Sequence, residues 1–401
     1  MRVLLSSYGS RGDVAPMVAL AVALRELGAE ARVCAPPDAE FVGVLERAGV
    51  ELVPFGLNVR ALVNGPMTPD LPARVVGALV GAHFGDIAAA AEGCDVLVTG
   101  GMMPAGIRSV AEHVGARYVY TCFHTFEMPS PHYPPSQRPG PPIPADMTDR
   151  KAMWDLDAQK VDALYAASLN THRAALGMPP IENVRDHVFG DRPLLAADPV
   201  LAPWSDLPDL DLVQTGAWML PDERPLPDDL TAFLDAGTPP VYAGFGSMTM
   251  RASADAAQVT VDAIRAQGRR VLVSRGWADL DLVDTGDDCF VVGEANHRAL
   301  FRRVAAVVHH GGAGTTTTAA QAGAPQVIVP QMVDQPYWAA QVAELGIGAA
   351  HDGPVPTTES LTAALTTALA PETAARAAEI GRQVRTDGAE VAAKMLLDMA
   401  S

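Results

Sequence analysis

VVHHGGAGTTTTAAQAGAPQVIVPQ, Val307–Gln331, reads in order as strand, turn, helix and strand. A β-branched apolar run ends in His309 and His310. Gly311, Gly312, Gly314 and four threonines follow, then an alanine-rich helical segment, then the apolar run PQVIVPQ. The first N–H groups of a helix lack intrahelical partners, and the macrodipole places partial positive charge there. Glycines admit a ligand to the backbone, while Thr hydroxyls and His nitrogens add donors. Such a turn suits a phosphate or pyrophosphate. The plainer alternative is a glycine turn with a threonine helix cap and an exposed histidine.

Two familiar phosphate sites fail on spacing. A P-loop closes with Gly-Lys-Ser/Thr, a tripeptide this chain lacks. The dinucleotide fingerprint G-x-G-x-x-G has Thr317 where its third glycine belongs, and the turn YGSRGDVAP offers only Gly9 and Gly12. A nicotinamide-dependent oxidoreductase is excluded on that ground.

Outward from 307–331, short apolar runs alternate with longer amphipathic ones. Strands are expected at 2–7, 31–35, 51–55, 94–100 and 117–123, and helices at 15–28 and 151–176. A second series is expected at 240–247, 270–276, 289–294, 305–310 and 325–331. This alternation predicts an α/β chain of two successive doubly wound parallel sheets. A long proline-rich loop, HTFEMPSPHYPPSQRPGPPIP, spans 124–144. A proline- and aspartate-rich connection runs from about 198 to 240, and 371–401 reads as helical with a break near TDGAE.

Length supports two cores: 401 residues exceed one typical domain. Hydrophobic residues make up 49% and charged residues 19%, a globular profile. The net charge of −18, from 47 acidic and 29 basic residues, argues against nucleic acid or an anionic membrane as partner. Cys34, Cys94, Cys122 and Cys289 are scattered and expected as free thiols. No signal peptide and no apolar stretch of spanning length is read, so a cytoplasmic protein is expected.

Three separated segments, HHGGAGTTTTAAQAGAPQVIVPQMVDQPYWA, RVLLSSYGSRGDVAPMVALAVALRELG and VYAGFGSM, together resemble the glycosyltransferases of the vancomycin and teicoplanin pathways. The resemblance covers essentially the whole chain. It implies the two-Rossmann-domain GT-B fold, its domains facing across a cleft: an acceptor domain (1–200), a linker (201–239), a nucleotide-sugar donor domain (240–380) and a C-terminal helix (381–401) returning to the first domain. It also implies an inverting enzyme, acting as a monomer, that moves a hexose from a UDP- or TDP-sugar to a hydroxyl of a glycopeptide antibiotic. Glucose and N-acetylglucosamine are the favoured sugars.

Position by position, the resemblance gives the pyrophosphate to His309, Gly311, Gly312, Gly314, Thr315 and Ser247. Arg275 and Ala295 are placed against the nucleoside, and Asp334 and Gln335 against the sugar hydroxyls. Asp13 stands where plant relatives carry a catalytic histidine. Ser10 and Gly12 share its turn, and His124, His132 and Tyr133 lie in the long loop on the acceptor side. Inversion needs a base for the acceptor proton. A carboxylate, with an ordinary pKa of roughly 3.9, matches a phenol of pKa about 10 better than an alkyl alcohol. The structural alternative for Asp13 is a helix N-cap ahead of VAPMVALAV.

No metal is expected. Asp-Leu-Asp triplets at 155–157, 209–211 and 279–281 are read as solvated surface, and the helix-end cradle can take the leaving-group charge. His310 could ligate a metal but has no partner at ligand spacing. Two other functions stay open: a nucleotide-sugar 2-epimerase of the same fold, and a catalytically silent partner protein.

Overall fold

The computed structural model describes residues 1–66, 68–136, 138–205, 207, 210–245, 256–274 and 286–400, with only the backbone at 64, 256 and 400. The chain forms two compact units. The first comprises Met1–Asp198, Pro203–Leu220 and Thr386–Ser401; the second comprises Pro199–Ala202 and Pro221–Arg385.

Seven strands build the first unit's sheet: β1 (Arg2–Tyr8), β2 (Glu30–Ala35), β3 (Glu51–Pro54), β4 (Val96–Gly101), β5 (Arg117–Cys122), β6 (Leu194–Leu195) and β7 (Val213–Gln214). Their order is β3-β2-β1-β4-β5-β6-β7, every neighbouring pair being parallel. The second unit's strands are β8 (Val241–Gly244), β9 (Val271–Ser274), β10 (Cys289–Val292), β11 (Ala306–His309), β12 (Gln326–Ile328) and β13 (Gly348–Ala350). They run β10-β9-β8-β11-β12-β13, again all parallel. In each sheet the winding direction reverses once, at β1/β4 and at β8/β11. Ligands of open α/β sheets bind at such points, outside the strands' carboxyl ends.

Five helices matter below: α1 (Arg11–Glu26), α2 (Arg150–Ala175), α3 (Ala313–Gln321), α4 (Gln335–Glu344) and α5 (Gly388–Ala400). Helices cover both faces of each sheet, so the central strands are apolar without alternation. Val3 and Leu5 of β1 pack with Val14, Met17 and Leu20 of α1 and with Ala392, Ala393 and Leu396 of α5. Leu4 and Tyr8 turn to the opposite face, against Leu79, Ile87 and Ile107. In the second unit Val308 joins Val241, Val261 and Leu361, while Val307 joins Tyr242, Leu300 and Phe301.

Several expectations need correction. Helix α1 begins at Arg11, not Ala15, because Ser10 caps it. Strands β6, β7 and β13, two or three residues long, were not read from the sequence. The helical stretch Leu71–Ala91 is long and apolar enough, by length and composition, to cross a bilayer. Its many alanines raise the hydropathy, while Gly77, Gly81, His83, Gly85 and Asp86 interrupt any long run of large apolar residues. Leu79, Ile87 and Ala91 pack with Tyr8, Phe55 and Leu97 of the first unit's core. Cys34, Cys94, Cys122 and the half-buried Cys289 are free thiols.

Candidate active site

The glycine-rich turn expected to hold phosphate follows β11 at the second unit's switch point. Gly311 has φ +92°, and a Cβ there would lie 2.6 Å from Ile328 Cγ2, so only glycine fits. Gly312 is the N-cap of α3 and, having no side chain, leaves the helix start without a side-chain cap. A Cβ on Gly314 would meet nothing within 4 Å, so this side of the turn is open. Uncapped N–H groups, positive helix end and open approach together are features that suit an anion. The Thr316 and Thr318 hydroxyls donate to Gly312 O (3.0 Å) and Gly314 O (2.8 Å), and both side chains are buried. Of the four threonines, Thr315 alone is half-buried rather than buried.

The two histidines divide differently from the expectation. His309 is fully buried; its Nδ1 accepts the Gly311 N–H (3.1 Å), which can only donate. The proton therefore sits on Nε2 and is donated to Gln326 Oε1 (2.9 Å). With both nitrogens engaged, His309 braces the turn and has no donor left for a phosphate. Burial, then the neighbouring His310, push its pKa down to about 3, so it is neutral. His310 has the capacity His309 lacks: its Nδ1 is buried and has no hydrogen-bond partner among the described residues. Its Nε2 lies 2.7 Å from where a Gly312 Cβ would be, against the turn. Burial lowers its pKa to about 4, partly opposed by Asp334.

Asp334 and Gln335 belong to the same site, since a Cβ on Gly311 would lie 3.3 Å from Gln335 O. Gln335 is buried, and its Oε1 accepts the N–H groups of Gln331 (2.7 Å) and Met332 (3.1 Å). That oxygen shapes the 331–334 loop. Asp334 is half-buried and accepts, at Oδ2, the Trp338 Nε1–H (2.9 Å). Ala295 is buried in the loop before Asn296, whose amide donates to the carbonyls of Asp222 (2.8 Å) and Arg224 (2.9 Å). Ser247 and Arg275 lie outside the described residues.

In the first unit, the turn after β1 sits at the other switch point. Asp13 occupies the third position of α1, and Ser10 is the N-cap. Asp13 Oδ2 accepts the Ser10 N–H (2.6 Å) and hydroxyl (3.0 Å), while Ser10 Oγ accepts the Gly12 N–H (3.1 Å). The N-cap, the alternative role weighed for Asp13, belongs to Ser10, with Asp13 closing a capping box. A Cβ on Gly9 would lie 2.3 Å from Asp13 Oδ2, and one on Gly101 3.3 Å from Asp13 Cβ. Both glycines make room for this carboxylate.

The long loop is fastened to α2. Trp154 Nε1 donates to the carbonyls of Ser130 and Tyr133, both at 3.0 Å, and Arg138 pairs with Asp157 (2.6 Å). Asp157 is 2% exposed, which corrects the reading of triplet 155–157 as solvated. Asp211 pairs with Arg192, while 209 and 279–281 lie outside the described residues. His124 stacks on Phe126 (centroids 4.0 Å apart) and faces Glu127 (3.6 Å), whose other oxygen accepts the Tyr120 hydroxyl. His132 is exposed and meets the half-buried Tyr133 edge-on. Reading the sequence missed His310 as the available histidine, and Trp338 as the partner of Asp334.

Comparison with known proteins gives the chain's family and fold. The family described as "Erythromycin biosynthesis protein CIII-like, C-terminal domain" matches residues 279–395. The chain is 55% identical over 405 residues to the vancomycin aglycone glucosyltransferase of Amycolatopsis orientalis, covering 100% of this chain and 98% of that one. It is 50% identical over 408 residues to the dTDP-epi-vancosaminyltransferase of the same organism, with 100% and 98% covered. Among solved structures, the glycosyltransferase VinC in complex with dTDP has the same fold: TM-score 0.69, 24% identity, 100% and 99% of the two chains covered.

Proposed function

The chain belongs to the vancomycin-type glycosyltransferases, and on that premise we propose that it moves glucose from a UDP- or TDP-sugar to a hydroxyl of a glycopeptide antibiotic aglycone, with inversion. The observation that carries the donor half is the uncapped start of α3 beside His310, whose Nδ1 has no partner among the described residues. A diphosphate placed there meets backbone N–H groups, the helix dipole and one histidine. His310 is neutral with its pKa lowered to about 4, so one ring nitrogen carries a proton to donate.

In this reading the diphosphate leaving group is stabilised by fixed dipoles, and no metal is needed. Asp334 accepts hydrogen bonds from the sugar hydroxyls, and Ala295 contacts the nucleoside. Asp13, oriented by Ser10, takes the acceptor proton as the hydroxyl attacks the anomeric carbon. Glucosyl transfer to an aglycone is the activity named for the 55% identical relative, which supports glucose here. The 50% identical relative is named for a different sugar, so the donor is the point to test. The protein is placed in the cytoplasm and acts as a monomer.

Incubation with UDP-glucose, TDP-glucose and UDP-N-acetylglucosamine, each with and without vancomycin aglycone, tests the proposal by mass spectrometry. The expected result is a hexose added to the aglycone. Epimerisation of donor without acceptor, or no product from any pair, would contradict it.

A further inference from the structure

The segment DQPYW, 334–338, breaks a local rule of helix starts. An aspartate at an N-cap normally turns its carboxylate back onto the N–H of the second or third helical residue. Asp334 is the N-cap of α4, yet its backbone is already helical (φ −85°, ψ −14°) and its side chain makes no cap bond. Pro336 occupies the second helical position, which removes one of the amides an N-cap would use. The carboxylate reaches instead to the indole N–H of Trp338, one turn along, at 2.9 Å. Trp338 is 1% exposed and fixed by its packing.

The residue before Asp334 breaks a second rule. Val333 has φ +53°, the one non-glycine residue with positive φ among those described, and is 70% exposed. A β-branched residue there is strained, and strain of this kind persists where the surroundings over-determine it. Gln335 Oε1 is the clamp, holding the amides of Gln331 and Met332. Uncapped helix, strained valine and buried indole all serve the placement of one carboxylate. Its Oδ2 is tied, and no hydrogen bond from the described residues falls on Oδ1. An ionised carboxylate only accepts and an indole only donates. The partner for Oδ1 must therefore bring donors, as a sugar hydroxyl does.

We propose that Trp338 is a positioning residue for the donor sugar: its N–H holds Asp334 Oδ2 so that the carboxylate meets the hexose hydroxyls. The inference rests on the reading of Asp334 as sugar-binding given above. Trp338 itself does not touch the sugar.

Calorimetry with TDP, TDP-glucose, UDP and UDP-glucose tests this on Trp338→Phe and on protein carrying benzothienylalanine at 338. The latter keeps the ring shape and replaces N–H by sulfur, so it answers even where Trp338→Phe fails to fold. We expect affinity for the nucleotide alone to stay within about twofold and affinity for the sugar nucleotide to fall about five- to twentyfold, the range of one lost hydrogen bond. In an Asp334→Ala background the Trp338 change should add no further sugar-specific loss. Wild-type sugar-nucleotide affinity in the sulfur isostere, with a loss in Asp334→Ala, would overturn the role of Trp338 alone. No sugar-specific loss in Asp334→Ala would overturn the reading of Asp334 and the inference with it.

Discussion

Asp13 Oδ2 accepts both the amide (2.6 Å) and the hydroxyl (3.0 Å) of Ser10, so the carboxylate proposed as base is also half of a helix capping box. Capping fixes its orientation, and Gly9 leaves the space it fills. The first turn of α1 therefore both begins the helix and holds the proposed base at the switch point of the sheet.

Gly9 supplies the first prediction. An added Cβ would sit 2.3 Å from Asp13 Oδ2, so Gly9→Ala must displace the carboxylate. Turnover should fall at least about tenfold, since general-base catalysis contributes roughly two to four powers of ten. Nucleotide affinity should be unchanged. Steady-state kinetics giving wild-type turnover in Gly9→Ala would show that the Asp13 placement is irrelevant to the chemistry.

The histidine pair supplies the second. His310→Ala should weaken UDP or TDP binding by about 1.5–3 kcal/mol, the value of a hydrogen bond to a charged group. His309→Ala leaves Gln326 and the Gly311 amide without their partner, so its first effect should be on stability, by about 1–3 kcal/mol. Calorimetry and denaturant titration of both variants check this. Unchanged nucleotide affinity in folded His310→Ala would return the ligand role to His309 or to the backbone alone.

Acid stability follows from the same residues. Burial holds His309 at about 3 and His310 at about 4, below the unfolded value of about 6.5. The unfolded chain thus binds protons first, and stability present above about pH 6.5 is lost as pH falls toward 4. Each histidine contributes a slope of up to about 1.4 kcal/mol per pH unit in that window. Denaturation midpoints measured from pH 7.5 to 4.5 should fall on acidification, less steeply in His309→Asn. A flat profile would mean these histidines titrate normally in the folded protein.

Metal removal gives the fourth prediction. With helix-end donors and His310 supplying the positive potential, activity in excess EDTA should stay within about twofold of the control. Complete loss, restored by Mg²⁺ or Mn²⁺, would contradict that mechanism.

Much of this was legible in the sequence, for reasons visible in particular residues. Strands β1, β4 and β11 are buried on both faces and therefore read as unbroken apolar runs. Strands β6 and β7 have two residues each inside a proline- and aspartate-rich segment, too short for any period to register. Helix α1 starts four residues before the expected Ala15, and Ser10 and Asp13 carry the S-x-x-D spacing of a capping box that marks this start. His309 and His310 look equivalent in sequence, but neighbours at a strand's end point to opposite sides. Only packing decides that His309 is sealed against Gln326 while His310 keeps a nitrogen without a partner among the described residues. Asp157 in its triplet and Asp334 before its proline likewise took their roles from distant or one-turn partners, Arg138 and Trp338.

The central claim is that Asp13 accepts the acceptor's proton, and Asp13→Asn tests it most directly. Asparagine keeps an oxygen for the Ser10 amide, so the capping box and fold should survive, while the base is lost. The measurement is single-turnover transfer of hexose to vancomycin aglycone, with nucleotide affinity and thermal stability recorded on the same preparation. We predict a turnover loss of roughly two to four powers of ten with both other quantities near wild type. Near-normal turnover in the folded Asp13→Asn enzyme would contradict the account, reducing Asp13 to its part in the cap.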